Sequence, residues 1–229
     1  MEVDDSPISA QEIVRIAVET VGQSDNPKWF KYRKNRITGS IFGKVIKAVD
    51  RPSPALVREL TDTIRGDQRD ISFIDAIRWG KEHEKDALKE YERVTGSLVR
   101  PTGIWLFPNG LFGASPDGVV YERGLEKASG IVEVKCPYTL RDLHYIEMRN
   151  RKKLPQYLTD DFKLKQWHDH YHQVQGELYA TKAPWCDFLV WTTKSLLVTR
   201  VFPSDKWADI NLPKLKTFYN RLNLCKYLF

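Results

Sequence analysis

Three residues in the middle of the chain have the types and spacing for phosphodiester chemistry. Asp117 lies in Ser115-Pro116-Asp117-Gly118, at the end of a short apolar run. Glu133 and Lys135 lie two apart inside Ile131–Cys136. Side chains alternate faces along an extended strand, so Glu133 and Lys135 share one face while Val132, Val134 and Cys136 share the other. With Asp117 on a neighbouring strand this is an Asp-(x)n-Glu-x-Lys pattern in which fifteen residues separate the two acids. Hydrolysis of a phosphodiester requires the charge at phosphorus to be offset and a water to be made nucleophilic. Hard carboxylate oxygens such as those of Asp117 and Glu133 suit Mg²⁺, which supplies both effects. Lys135 is placed to orient or deprotonate the water or to stabilise developing charge, and the pattern alone leaves these roles open. Taken alone, the pattern also fits an Asp-Gly turn beside a surface Glu/Lys pair.

A fourth acid shifts the balance toward chemistry. Ile71–Thr95 carries the longest helical signal, with Ile74, Ile77, Leu88 and Tyr91 on one face and Gly96 as the stop. Glu84 falls within that apolar stripe, where a carboxylate is costly unless it is paired or binds a metal. It is therefore either half of a buried ion pair or a further metal-site carboxylate. Gly80, one turn earlier, is expected to allow a close backbone approach.

The elements that must position these groups read as follows. Ser9–Val21 is an amphipathic helix with Ser9 and Glu12 spaced as a capping box, and Ser24-Asp-Asn-Pro is a turn. Thr38–Val49 is a helix with Thr38 as N-cap. Ser53–Arg65 is a third helix, with Pro54 at its first position. Gly103–Phe107, Leu111–Ser115, Gly118–Tyr121 and Ile131–Cys136 are short strands, the first two joined by Pro108-Asn-Gly. Arg141–Asn150 is helical or irregular, and Lys165–Thr181 is a helix. Asp187–Thr192 and Leu197–Phe202 form a hairpin around Lys194-Ser195. Asp205–Cys225 is a last helix, broken or bent at Pro213. This order specifies an α/β (α+β) domain with a central mixed sheet flanked by helices. The whole chain, 1–229, reads as one domain: a helical segment over 1–70, a core over 71–204 and a C-terminal helix over 205–229.

Bulk properties are compatible with such a domain. A hydrophobic content of 41% supports a buried core, and a net charge of +6 favours an acidic partner such as nucleic acid. Three cysteines without a Cys-x-x-Cys spacing argue against a disulfide framework and for a reducing, intracellular compartment, nuclear or cytoplasmic. No apolar run reaches the roughly 20 residues of a membrane helix, and Met1–Pro7 does not read as a signal peptide.

The ordered motifs Trp79-Gly-Lys-Glu-His-Glu84, Ser115-Pro-Asp-Gly118, Glu133-Val-Lys-Cys-Pro137 and Gln173-Val-Gln175 resemble those of the lambda-exonuclease/YqaJ family of viral recombination nucleases. So do Trp29-Phe-Lys-Tyr-Arg33, Ile37-Thr-Gly-Ser40 and Arg141-Asp142, and together the matches run from about Trp29 to Thr192. The resemblance implies a restriction-endonuclease-like, PD-(D/E)xK core. It also implies a Mg²⁺-dependent exonuclease that degrades duplex DNA from 5′ ends and leaves 3′ single strands for recombination. Two metal ions are implied, with Mn²⁺ as a substitute. By motif position, Asp117, Glu133, the Val134 carbonyl and Glu84 hold metal, Lys135 serves the water, and Gln173 orients site groups. Arg33, Ser40 and Arg141 bind the DNA 5′-phosphate, and Ile77 is a wedge at the DNA fork or an ordinary core residue. Implied partners are duplex DNA ends and a single-strand annealing protein. Some relatives form ring-like trimers and others act as monomers. The sequence departs from the family at His170, where a tyrosine three residues before the glutamine is usual; Tyr171 follows one place later.

Other features admit plainer readings. His168, His170 and His172 invite a zinc site, but only His168 and His172 would share a helical face, and surface or DNA-facing histidines are the alternative. Arg149-Asn-Arg-Lys-Lys153 is a basic run, solvated, DNA-facing or an import patch. Trp79 and Trp191 are expected to pack under the sheet. A structure- or sequence-specific endonuclease, or a non-catalytic DNA-end-binding module, would use the same core.

Overall fold

The structure, a computed structural model, describes residues 7–66 and 73–225, with side chains in the last helix described through Leu222. The expected helix start at Ile71 and most of the acidic N-terminus lie outside the described residues.

The helical segment comprises α1 (Ala10–Glu19), α2 (Pro27–Arg33), α3 (Gly39–Ala48) and α4 (Pro54–Arg65), with a two-residue strand β1 (Ile37–Thr38) before α3. Ser9 caps α1 by accepting the Glu12 N–H at 3.2 Å. The expected capping box is only half formed, because the Glu12 carboxylate turns to Arg15 at 2.7 Å. Thr38 is the N-cap of α3 as read from sequence, but its side chain makes no cap hydrogen bond and its backbone belongs to β1.

The core follows: α5 (Asp75–Thr95), β2 (Leu98–Arg100), β3 (Trp105–Leu106), β4 (Phe112–Ala114), β5 (Gly118–Tyr121), β6 (Gly130–Lys135), α6 (Tyr145–Asn150), α7 (Asp169–Thr181), β7 (Cys186–Thr192) and β8 (Ser195–Val201). The chain ends on α8 (Asp205–Cys225), which runs through Pro213. Pro213 and Asp209, whose carbonyl would have been its partner, both face solvent, while Leu215 and Phe218 are buried and hold the helix down.

Two mixed sheets replace the single one expected. The larger has the order β2-β5-β6-β7-β8, with β6 and β7 parallel and the other pairs antiparallel; the smaller is β1-β4-β3. The division falls at Ser115-Pro116-Asp117, between β4 and β5, where proline has no N–H for a ladder. Gly118 follows because a Cβ there would lie 2.2 Å from a Val99 methyl. β1 and β2 are too short for an alternation to show in sequence.

Helix α7 covers one face of the larger sheet, packing Val174 and Leu178 on Ile131 and Phe188. Helix α5 covers the other, packing Ala87 and Tyr91 on Val132, Val134 and Leu189. The buried face of α5 is confined to its C-terminal half. Ile74 and Ile77 are about two-fifths exposed, so the continuous apolar stripe read from sequence does not form. A third core, under α3, gathers Phe42, Phe107, Phe112 and Phe218. There α7 approaches so closely that a Cβ on Gly176 would meet the Phe42 ring at 2.2 Å.

Candidate active site

The alternation along β6 sorts its side chains as expected. Ile131 packs on the α7 side, Val132 and Val134 on the α5 side, and Glu133 and Lys135 project toward α7. The β5–β6 ladder ends at Gly118↔Val132. Beyond it Asp117 curls over the strand: its N–H donates to the Val132 carbonyl at 3.0 Å, and its Oδ2 accepts the Val134 N–H at 2.6 Å. The N–H and C=O of one strand residue point the same way, so the Val134 carbonyl faces the same gap as Asp117.

Glu133 is 2% exposed. Its Oε1 accepts from Lys135 Nζ at 2.5 Å and from Gln173 Nε2 at 2.7 Å. Its Oε2 is buried with no protein donor. The same Gln173 amide donates to Glu177 Oε1 at 3.0 Å. Glu177 is fully buried, and its Oε2 also lacks a donor. Four acids therefore share one low-dielectric region. Burial, then Glu133 and Glu84, hold the Asp117 carboxyl well above the ordinary carboxylate range. Burial, then Glu133 and Asp117, do the same for Glu177. Half-buried Glu84 is raised by burial and by Glu133, so its charge is felt across the cleft although it stands on α5. Burial alone would lower Lys135, but Glu133 and Asp117 outweigh it and keep the ammonium charged.

These observations bear on whether a hard divalent cation fits. An orphaned buried oxygen on Glu133, a second acid, Asp117, that feels its charge, and a carbonyl facing the same gap are the donors such an ion takes. Among the described residues no three His, Cys, Asp or Glu side chains form a closed cage. Mg²⁺ does not need one, since it is held by one or two carboxylates and keeps waters or substrate oxygens.

Two shoulders flank the acids. On one, Trp29 Nε1 donates to Ser115 Oγ at 2.9 Å and Gln23 Nε2 to the Pro116 carbonyl at 2.9 Å, tying the helical segment to the Asp117 turn. The Arg33 guanidinium lies 4.0 Å over the Trp29 ring and has no ion pair among the described residues; burial lowers it to about 10. Ser40 is exposed in the first turn of α3. Its neighbour Gly39 sits where a Cβ would be 3.6 Å from Gln173. On the other shoulder Arg141 lies 4.3 Å over Tyr138 and 5.9 Å from Trp79, with Asp142 at 3.5 Å. Arg33 and Ser40 thus belong to the helical segment, and Arg141 follows β6; among the described residues no ion pair joins any of the three to Asp117, Glu133 or Glu84.

Several expectations change. Ile77 is 40% exposed, which excludes the core reading. A Cβ on Gly80 would meet nothing within 4 Å, so no close approach explains that glycine. Helix α7 begins at Asp169, and His168 is its N-cap, accepting the His170 N–H at 3.2 Å. His172 accepts from Trp207 at 3.0 Å on the far side of the helix. The zinc reading falls with that geometry, since His168 and His172 do not share a helical face. Of the two tryptophans expected under the sheet, Trp191 packs against the α5-side core, and Trp79 stacks at 3.6 Å on His83, which lies 5.5 Å from Trp191. Within the basic run, Arg151 pairs with Glu147 and Arg149 lies 5.1 Å over Phe162.

Sequence reasoning missed Glu177 and Tyr157. Glu177 follows Gln173 by four residues, the spacing that puts two side chains on one helical face, and that signal was available. Tyr157 comes from an irregular segment that periodicity does not reach. Its ring lies 4.9 Å from His170, and its hydroxyl is buried without a partner. His170 feels the Lys135 charge and bonds with Gln173, whereas Tyr171 packs against the two cores beside α7.

Comparison with known proteins places the chain in a family and a fold. A family model, described as the YqaJ-like viral recombinase domain, matches residues 28–184. The alkaline nuclease of Autographa californica nuclear polyhedrosis virus is 24% identical over 96% of this chain and 51% of its own length. That of Orgyia pseudotsugata multicapsid polyhedrosis virus is 28% identical over 87% of this chain and 48% of its own. The chain thus spans about half the length of these curated relatives. Among solved structures, the alkaline exonuclease LHK-Exo of Laribacter hongkongensis superposes with a TM-score of 0.67 at 25% identity, covering 88% of this chain and 95% of that one.

Proposed function

Because the chain belongs to the YqaJ-like viral recombinase domain family and has its restriction-endonuclease-like fold, we propose that it is a divalent-metal-dependent exonuclease. On this reading it hydrolyses duplex DNA from 5′ ends and leaves 3′ single strands for recombination. One observation carries the proposal: Lys135 and Gln173 satisfy Oε1 of Glu133 while its buried Oε2 has no protein donor, and Asp117, bonded to the N–H of the next residue, Val134, feels the Glu133 charge. A buried carboxylate oxygen left without a donor is costly, and a metal ion would remove that cost.

Asp117, Glu133 and the Val134 carbonyl would hold Mg²⁺, with Glu84 contributing across the cleft. The ion would supply charge neutralisation at phosphorus and a more acidic water. The chain's own residues supply the rest. Gln173 fixes Glu133 by donating to Oε1, which leaves the buried Oε2 without a protein donor. Lys135, held charged by its acidic neighbours, is a donor for the attacking water or for charge developing on the phosphate oxygens. Arg33 and Ser40 offer a guanidinium fork and a hydroxyl to a terminal phosphate, and Arg33 is available because nothing among the described residues pairs with it. Ile77, exposed on α5 ahead of Glu84, would be the wedge that separates the strands at the duplex end. Duplex ends are the proposed substrate partner and an annealing protein the proposed product partner.

Digestion of end-labelled linear duplex and of covalently closed circular DNA, each with Mg²⁺ or EDTA, tests the reading. Release of nucleotides from 5′ ends of the linear form alone, only with Mg²⁺, is expected. Cutting of the closed circle would instead indicate an endonuclease.

A further inference from the structure

The fold does not explain why Trp167 is 62% exposed. It stands on the connection just before α7, with the ammonium groups of Lys47 and Lys165 at 5.9 and 5.7 Å from its ring centre. Together with Lys214 and Asn211 it lines an open cleft of about 720 Å³. One acid, Asp50, lines the same cleft, and Lys47 is paired with Asp169 at 2.6 Å.

Behind Trp167 a row of rings leads inward. Trp167 lies 5.9 Å from His168, His168 lies 4.8 Å from His170, and Tyr157 lies 5.6 Å from His168 and 4.9 Å from His170. His170 stands one turn before Gln173 on α7, and the Gln173 amide touches Glu133 at 2.7 Å. Phe188, the register partner of Glu133 on β7, lies 6.0 Å from His170. The rings therefore run without a break from the acids to the surface. Burial lowers His170 to about 2, so the inner part of the row is neutral.

A track for duplex backbone needs cations alone. An exposed indole between cations serves a base that has left the duplex, because paired, stacked bases show only their edges while a single strand offers π-faces. We propose that Trp167, backed by His168 and flanked by Lys47, Lys165 and Lys214, is a stacking platform for the bases of a single-stranded nucleic acid, at the surface end of the row of rings that leads from α7. Its place in the reaction rests on the nuclease reading, but binding to it does not.

The test is the anisotropy of labelled twelve-residue oligothymidylate and oligouridylate and of a blunt duplex of equal length, titrated with the full chain in EDTA. Trp167→Ala should weaken single-strand affinity roughly fivefold or more, the lower end of a lost base–aromatic stack. Trp167→Phe should restore most of it, and duplex affinity should hold. Phe202→Ala, which removes an equally exposed aromatic elsewhere, should change nothing. Losses with both oligonucleotides would assign the platform to either sugar; a loss with one would assign it to that sugar. Unchanged oligonucleotide affinity in Trp167→Ala, or an equal loss on duplex, would overturn the platform. Mg²⁺-dependent digestion by the same preparations separates the two ideas: a wild-type chain that binds oligonucleotide through Trp167 but cleaves nothing defeats the nuclease reading alone.

Discussion

Glu133 and Asp187 are both 2% exposed and lie on adjacent parallel strands of the same sheet, yet their surroundings are opposite. Asp187 accepts from Arg200 Nε at 2.8 Å, from Arg200 Nη2 at 2.9 Å and from the Tyr91 hydroxyl at 2.7 Å, so both oxygens are satisfied. Glu133, on the other face, has one satisfied oxygen and one orphan, and three further acids lie within reach of its charge. A buried carboxylate with a complete donor set holds the structure together. One whose donor set is left incomplete, beside a second acid, Glu177, equally short of a donor, is kept for something the fold does not itself contain. Deleting each in turn should separate stability from activity.

Short of abolishing cleavage, the largest effect is expected at Lys135. Lys135→Ala should lower turnover by about 10²–10³-fold, the usual loss on removing one group that stabilises transition-state charge, with little change in DNA affinity. Single-turnover digestion beside a binding titration checks this; a loss confined to affinity would make Lys135 a phosphate contact only. At the opposing carboxylate the pattern should invert. Asp187→Ala strips Tyr91 and Arg200 of their partner and should cost about 2–3 kcal/mol. That is below the usual penalty for breaking a buried pair, because Arg200 is part-exposed and rehydrates. Urea unfolding measures it, and turnover per folded molecule should stay near that of the wild type.

Glu177 sharpens the contrast through pH. Its folded-state pKa is raised above the ordinary 4.5 by burial and then by Glu133 and Asp117, so the folded state holds the proton more tightly than the unfolded chain. That contribution is fully present below about 4.5 and is lost as pH rises through the raised value. Asp117 and Glu84 act with the same sign. Glu177→Gln should flatten the fall in stability as pH rises above 4.5 and stabilise the protein at the upper end of the range. An unchanged pH–stability curve would show that Glu177 is not strained. The smallest effect concerns Arg33. Arg33→Ala should reduce the preference for 5′-phosphorylated over 5′-hydroxyl ends by about tenfold, one charge-assisted hydrogen bond, without altering cleavage of an end already engaged. If the wild-type chain shows no such preference, the pocket is elsewhere.

The site is more legible in the sequence than the architecture around it. Period-two alternation alone places Glu133 and Lys135 on one face, because a strand leaves no other choice. Gln173 is reached through resemblance. Glu177, four residues on, is an acid amid apolar helix residues just as Glu84 is, but no motif marks it. Tyr157 and Trp167 sit in irregular segments, where no period links a residue to its neighbours in space. The split into two sheets is also hidden, since β1 and β3 are two residues each and draw their stability from tertiary packing. Helix α5 misleads in a different way: its apolar period continues through Ile74 and Ile77 beyond the end of the sheet, leaving them exposed.

The most direct test of the central claim is Asp117→Asn on end-labelled linear duplex with Mg²⁺. Cleavage should be lost while DNA binding is retained or strengthened, because one source of repulsion toward phosphate is gone and the Val134 N–H keeps an acceptor. Near wild-type cleavage by the purified, folded variant would contradict the assignment of these acids as the hydrolytic centre.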